Sequence, residues 1–235
     1  QSPTNVPWEK LKASADFVIC RASYGGGLRD RHVAEHMRRA RQINVKVGLY
    51  QFYRPSQSVE SHFKMFKQVA DVVQLGDGDI LPVLDIEPDV YPAHTPPTPK
   101  WQPALQELIG LMKEEWGGVM LYISQKDWSL LGKPSWVLDH PLWCPHFINA
   151  SKPATPAVRE PHIWQHRVGP FDPEGPGGYY KPDAYDHNKL IRPLPFIGES
   201  RIEDPISDDA RAMVMGLGAL TLDDELRADP ARRCV

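Results

Sequence analysis

The chain has 235 residues, 41% of them hydrophobic and 24% charged, with a formal net charge of −3. That length carries one large domain with its own core, and the slightly acidic balance excludes nucleic acid as a partner, which would require a basic surface. No segment reaches the roughly 18 apolar residues of a membrane-spanning helix, so no membrane span is expected.

The sequence begins with Gln1 rather than Met, and no charged-then-apolar leader is visible in it. Trp8 lies in the lead-in, QSPTNVPWEKLKAS. The first strand signal is Phe17 to Arg21, FVICR, followed by a glycine turn at Gly25 to Gly27. A helix is expected from about Arg29 to Ile43, and its arginines have the spacing of a solvated helix face. Val47 to Phe52 reads as a second strand. Ser56 and Ser58 are candidate caps for a helix running to about Leu75, with Val59, Phe63, Phe66, Val69, Ala70 and Val73 recurring at three and four.

Next comes Ile80 to Pro88, ILPVLDIEP, an apolar run closed by proline that reads as a buried parallel strand. A proline-rich loop, Tyr91 to Pro99, leads to a helix over Trp101 to Trp116 with Leu105, Leu108, Ile109 and Met112 on one stripe. Val119 to Ser124 is a further strand. Beyond it the pattern changes to short apolar pieces, Pro141 to Cys144, His162 to His166 and Tyr185 to Leu190, with no helix-length periodicity between them.

Strand–helix alternation implies a parallel sheet with crossover helices. Together with the helix-poor second half it points to an α/β fold, an irregular TIM-like (β/α)5(β)3 barrel. The barrel is expected over residues 1–197. Residues 198–235 are charged, with one apolar patch at Met213 to Leu222, and read as a C-terminal extension with a candidate helix and a candidate surface for a protein partner.

No cofactor is expected. The glycines at 25 to 27 lack both the G-x-G-x-x-G pattern and a Walker lysine. His146, His162 and His166 match no zinc spacing, so no metal is expected. Cys20, Cys144 and Cys234 are too few and scattered for a disulfide framework. Cys20 and Cys144 sit in apolar segments as small core residues, which makes a Cys144–His146 nucleophilic pair the poorer reading.

The chemistry concentrates at Asp85 and Glu87. On a strand, residues i and i+2 share a face, so the two acids would stand side by side at the C-terminal mouth of the barrel, where such folds place their active sites. A pair on one side cannot flank a glycosidic bond as the two-carboxylate mechanisms require. It suits the substrate-assisted variant, in which the sugar's 2-acetamido oxygen attacks the anomeric carbon. Glu87 would protonate the leaving oxygen and Asp85 would orient the acetamido group, its charge raising the pKa of Glu87. Structural roles, a solvated strand-end acid and an ion-pair partner, remain the alternative for both. Tyr50, Phe52, Tyr122, Trp143 and Trp164 fall at or near strand ends and are candidate stacking surfaces for sugar rings. Core packing is the alternative for each of them.

The segments from Phe17 to Pro55, LPVLDIEP, GVMLYIS, PLWCPHF, IWQHRVGP and YDHNKL occur in the order seen in family 25 glycoside hydrolases, the Ch-type lysozymes or muramidases. The chain resembles that family over about Trp8 to Leu190. The resemblance implies Glu87 as general acid, Asp85 as its companion, Asp186 as a late strand-end carboxylate, and the Trp164–Gln165 pair as substrate-binding. It also implies peptidoglycan as the substrate, no cofactor, and action outside the cell or at its wall. Family members open with a D-x-S strand whose aspartate enters the site. Here Gln1 would match the end of that motif, which would put the strand and its aspartate upstream of Gln1. Two rivals to a muramidase stay open: a non-catalytic wall-binding or structural barrel of a larger assembly such as a phage particle, and a chitinase-like hydrolase, which would also use a D-x-E strand.

Overall fold

The computed structural model describes residues 6–89, 95–147, 152–170 and 184–198. The expected extension therefore lies outside the described residues apart from Gly198, as do Cys234 and part of the proline-rich loop.

Helix α1 (Trp8–Ser14) precedes strand β1 (Phe17–Tyr24), whose eight residues are all buried. The glycine turn folds β1 back on the short strand β2 (Leu28–Arg29). Then follow α2 (Val33–Gln42), β3 (Lys46–Phe52), α3 (Val59–Val73), β4 (Val83–Asp85), α4 (Gln102–Trp116), β5 (Met120–Tyr122), α5 (Gln125–Leu130), β6 (Leu142–Pro145), β7 (Ile163–Pro170) and β8 (Ala184–Leu190). The helices start and stop where local chemistry dictates. Ser58 caps α3 by accepting the Ser61 N–H, Pro103 sits in the first turn of α4, and Gly117 ends α4 at φ 77°.

One eight-stranded sheet runs in the order β2-β1-β3-β4-β5-β6-β7-β8. The pairings from β1 to β7 are parallel, while β2 and β8 lie antiparallel at the two edges. Among the described residues no ladder joins β8 to β1, so the sheet curves as an unclosed half-barrel. Strand–helix alternation up to α5, followed by three strands without an intervening α-helix, agrees with the irregular α/β barrel expected from the sequence.

Two cores result, as a doubly covered parallel sheet requires. On the helix side pack Val18, Cys20, Leu49, Leu84, Leu121 and Cys144 with the apolar stripes of α2, α3 and α4. On the concave side pack Phe17, Ile19, Tyr50, Val83, Met120, Tyr122, Trp143 and Ile163. Both Cys20 and Cys144 are free and buried, and burial pushes the Cys144 thiol up to about 12, so it stays protonated in the core.

The end of the barrel opposite the acids is sealed by residues 194–197. Leu81 N–H donates to Pro195 O at 3.0 Å, Gly78 N–H to Ile197 O at 3.0 Å, and Ile80 bridges Phe196. Leu194 and Phe196 pack under the concave core.

Gly48, in the middle of β3, faces that interior. A Cβ placed there would lie 2.9 Å from the Ile80 Cβ. Gly48→Ala is therefore expected to destabilise the fold by about 1–3 kcal/mol through overpacking. Urea unfolding checks this, and a midpoint equal to wild type would mean that the interior yields at no cost.

Candidate active site

The strand that carries the acids is shorter than its sequence suggests. Only Val83–Asp85 pair on both sides, because Pro82 and Pro88 have no N–H to give to a ladder. Glu87 thus lies two residues beyond the strand, in a bend. The strand end is still gripped between its neighbours. Tyr53 N–H donates to Asp85 O at 2.9 Å and Ile86 N–H donates to Tyr122 O at 2.9 Å.

Register settles which side chains face the mouth. Phe52 pairs with Asp85, Asp85 with Tyr122, and Tyr122 with Trp143, so these four share the concave face. Tyr50 joins them from one pair lower on β3. Trp143 packs edge-on against Tyr122 (4.9 Å between centroids, 80°) and Tyr50 (6.4 Å, 89°). Each of the three rings is less than a tenth exposed, so they form a floor and offer edges rather than open faces. Phe52 stacks on Tyr24 at 4.5 Å.

Gln165 belongs to the same face. Tyr122 Oη donates to its Oε1 at 2.6 Å, and Gln165 also hydrogen-bonds Asp186. From β8, Asn188 accepts the Trp143 indole N–H at 2.8 Å. Trp164 is not part of this group. It pairs with Cys144, which packs on the helix side, and its indole donates to His146 O at 2.9 Å under the Lys189 ammonium. The strand alternation that turns Gln165 inward turns Trp164 outward. A bulge between Gln165 and Arg167 breaks the alternation after that, so His162 and His166 do not share a simple strand face.

Electrostatically the mouth is acidic. Burial is the leading cause that pushes Asp85 well above the usual carboxylate range, and the Glu87 charge adds to it, with Arg21 opposing. Glu87 is pushed up to about 7, first by burial and then by Asp127 and Asp186. Asp186 is raised to about 7 by burial, against its Gln165 hydrogen bond. The Asp85 charge, which sequence reasoning made the cause of the Glu87 shift, is not the leading one. Both acids are thus held above the usual carboxylate range, with burial as the leading cause. Asp85 Oδ1 is buried and has no hydrogen-bond partner among the described residues, which leaves its acceptor capacity unused.

Sequence reasoning missed several neighbours. Arg21, on β1 opposite Tyr50, forms a buried ion pair with Asp30 at 3.3 Å. Asp89 accepts from Tyr24 Oη at 2.8 Å and from Arg54 Nε at 3.0 Å, with the Arg54 guanidinium 4.8 Å above the Tyr24 ring. Asp89 and Thr95 also exchange backbone hydrogen bonds at 2.9 and 2.7 Å. An arginine at an inward position of an otherwise apolar strand, and an acid two residues past Glu87, were the readable signals. Among the described residues no group of three or more His, Cys, Asp or Glu is arranged to hold a metal ion.

The model of the family described as "Glycosyl hydrolases family 25" matches residues 1–170. A search of curated protein sequences finds no match. Among solved structures, the bacterial lysozyme from Streptomyces coelicolor is similar at a TM-score of 0.67 and 20% identity, over 80% of this chain and 88% of that one. The muramidase from Acremonium alcalophilum is similar at 0.65 and 16% identity, over 84% and 90%. A family 25 glycosyl hydrolase from Bacillus anthracis gives 0.60 and 20% identity, over 71% and 76%. At these identities the solved structures establish the shared fold, and the family match covers most of the chain. The chain belongs to glycosyl hydrolase family 25 and is a glycoside hydrolase.

Proposed function

We propose that this glycoside hydrolase is a lysozyme of the muramidase type, which cleaves the β-1,4 bond between N-acetylmuramic acid and N-acetylglucosamine in peptidoglycan with retention of configuration. The observation that carries this reading is the pairing of Asp85 and Glu87 at one mouth, with Glu87 raised to about 7, where it can carry a proton near neutrality. Two acids on the same side of a bond need the substrate to supply the nucleophile.

In the first step the acetamido oxygen bonds to the anomeric carbon, the glycosidic bond breaks, and Glu87 gives its proton to the leaving oxygen. Asp85 takes the acetamido N–H on its free Oδ1 and offsets the positive charge of the oxazolinium. In the second step Glu87 accepts a proton from the water that opens the ring. Asp186, tied to Gln165, is a supporting carboxylate. Tyr50, Phe52, Tyr122, Trp143 and Gln165 line the floor under the sugar, whereas Trp164 supports the strand from behind. Residues 1–197 form the hydrolytic unit, and residues 198–235 are a separate extension offered to a protein partner. The place of action is the cell wall. Among the described residues no helix is long and apolar enough to cross a membrane.

Glu87→Gln is expected to lower the release of reducing ends from purified peptidoglycan by on the order of 10²–10⁴-fold, the usual worth of a general acid. Turnover at the wild-type rate would remove Glu87 from the role. Chitin oligomers, run in parallel, would be cleaved faster than peptidoglycan if the enzyme is chitinase-like. The wild-type rate should fall as pH rises through about 7, as Glu87 loses the proton it must deliver.

The same variant has a stability signature. Below about pH 4 the Glu87 carboxyl is protonated in both folded and unfolded chains. Between about 4 and 7 only the folded state holds the proton, so stability falls as pH rises. Above 7 the buried charge carries its full penalty. Glu87→Gln should therefore be more stable than wild type by about 3 kcal/mol at pH 8 and equal to it below pH 4. Thermal melts across that range check the sign.

A further inference from the structure

Glu87 and Pro88 lie beyond the last ladder pair of β4, which is at Asp85. Upstream of them, Ile86 N–H donates to Tyr122 O at 2.9 Å. Downstream, Pro88 has no N–H to give, and the chain is bonded again at Asp89. Asp89 N–H donates to Thr95 O at 2.9 Å, and Asp89 O accepts the Thr95 N–H at 2.7 Å.

The Asp89 side chain, 1% exposed, adds to that hold. Its Oδ1 accepts from Tyr24 Oη at 2.8 Å and its Oδ2 from Arg54 Nε at 3.0 Å. Tyr24 is the last residue of β1, and its register partner Phe52 is the last of β3. The two rings stack at 4.5 Å, and the Arg54 guanidinium lies 4.8 Å above the Tyr24 ring. Arg54 is set in turn by its own N–H, which donates to His62 Nε2 at 3.0 Å. Groups from the ends of β1 and β3 thus converge on one carboxylate, two residues along the chain from Glu87.

We infer that Asp89 is a positioning residue for the hydrolysis: held between Tyr24 and Arg54, it fixes through Pro88 the place from which Glu87 presents its carboxyl to the cleaved bond. The inference rests on the reading of Glu87 as general acid. Proline locks φ at about −65°, so the span between the holds at Ile86 and Asp89 has few torsions left. Both Asp89 oxygens accept hydrogen bonds from the protein, so its effect on the sugar runs through Glu87. The two donors also call for a carboxylate. An asparagine would accept from one of them but turn its NH2 toward the other, and would leave the Arg54 charge without this counterion. A fixed end matters because proton delivery depends on geometry. A displacement of about 1 Å can cost on the order of 10²-fold in rate.

The test measures kcat and KM on soluble peptidoglycan fragments for Asp89→Asn and Tyr24→Phe, each alone and each combined with Glu87→Gln. Thermal melts check that the variants fold. Tyr24→Phe removes one tie to Asp89 and keeps the ring contacts, so it carries the test should Asp89→Asn fold poorly. Each single variant should lower kcat by on the order of 10-fold, with KM within about twofold of wild type. Added to Glu87→Gln, either change should cost less than about twofold more, because the group it positions is already gone. A merely structural role would lower kcat by the same factor in both backgrounds. Wild-type kcat in folded Asp89→Asn, or in Tyr24→Phe where Asp89→Asn does not fold, overturns the inference. An equal loss in the two backgrounds does so as well, and either result leaves Glu87 as the acid. A wild-type rate in Glu87→Gln alone removes the acid, and the inference with it.

Discussion

Three carboxyl groups, Asp85, Glu87 and Asp186, converge on one mouth, and burial foremost holds each of them above the usual carboxylate range. Each unit of pKa elevation corresponds to about 1.4 kcal/mol of discrimination against the anion, so the folded chain keeps protons that the same residues would release in water. That constraint shapes everything around it. The surrounding tyrosines, Tyr50 and Tyr122, are held well above their usual range by burial and remain neutral donors. The concave-face cation that acts on the acids, Arg21, is engaged by Asp30 and only partly offsets them.

The rest of the fold can be seen as the means of holding this unfavourable arrangement in place. A parallel sheet buried on both faces presents its strand ends in a fixed row. Asp85 is gripped by backbone hydrogen bonds to β3 on one side, and its successor Ile86 by one to β5 on the other. The rim adds a second hold two residues past Glu87, where Asp89 ties Tyr24 and Arg54 together. Neutral His62 supports the same corner. Its Nε2 accepts the Arg54 N–H at 3.0 Å, which places the donor hydrogen on the Nδ1 that faces Ser58 O. The segment that carries the acids therefore has little freedom to relax away from them.

Much of this was legible in the chain. The helices α3 and α4 follow from apolar spacing, with Ser58 at the start of α3, and β1 and β3 from largely apolar runs. The strand around Asp85 was read too long because hydrophobicity reports burial, whereas pairing also needs N–H groups that Pro82 and Pro88 lack. Trp164 was misplaced for a related reason. Aromatic character says that a ring is buried, and only alternation from an inward Gln165 says on which side. The helix α5 that Ser124 caps was not read from the sequence, since it has only six residues, too few to show a helical period. Likewise Arg21 could be seen as odd in an apolar strand, but its partner Asp30 becomes near only through the β1–β2 turn.

The seal formed by Leu194 to Ile197 bears on how the molecule is made. It joins residues 78–81 across more than a hundred positions of sequence. During vectorial synthesis β1, β3, β4 and β5 emerge and can pair well before the segment that closes beneath them exists. The apolar underside of the growing sheet, including Ile80, then stays exposed until residue 197 has left the ribosome, and nascent chains of intermediate length carry the aggregation hazard of an unfinished core. Docking of residues 194–197, rather than formation of the acidic mouth, is what covers that apolar underside.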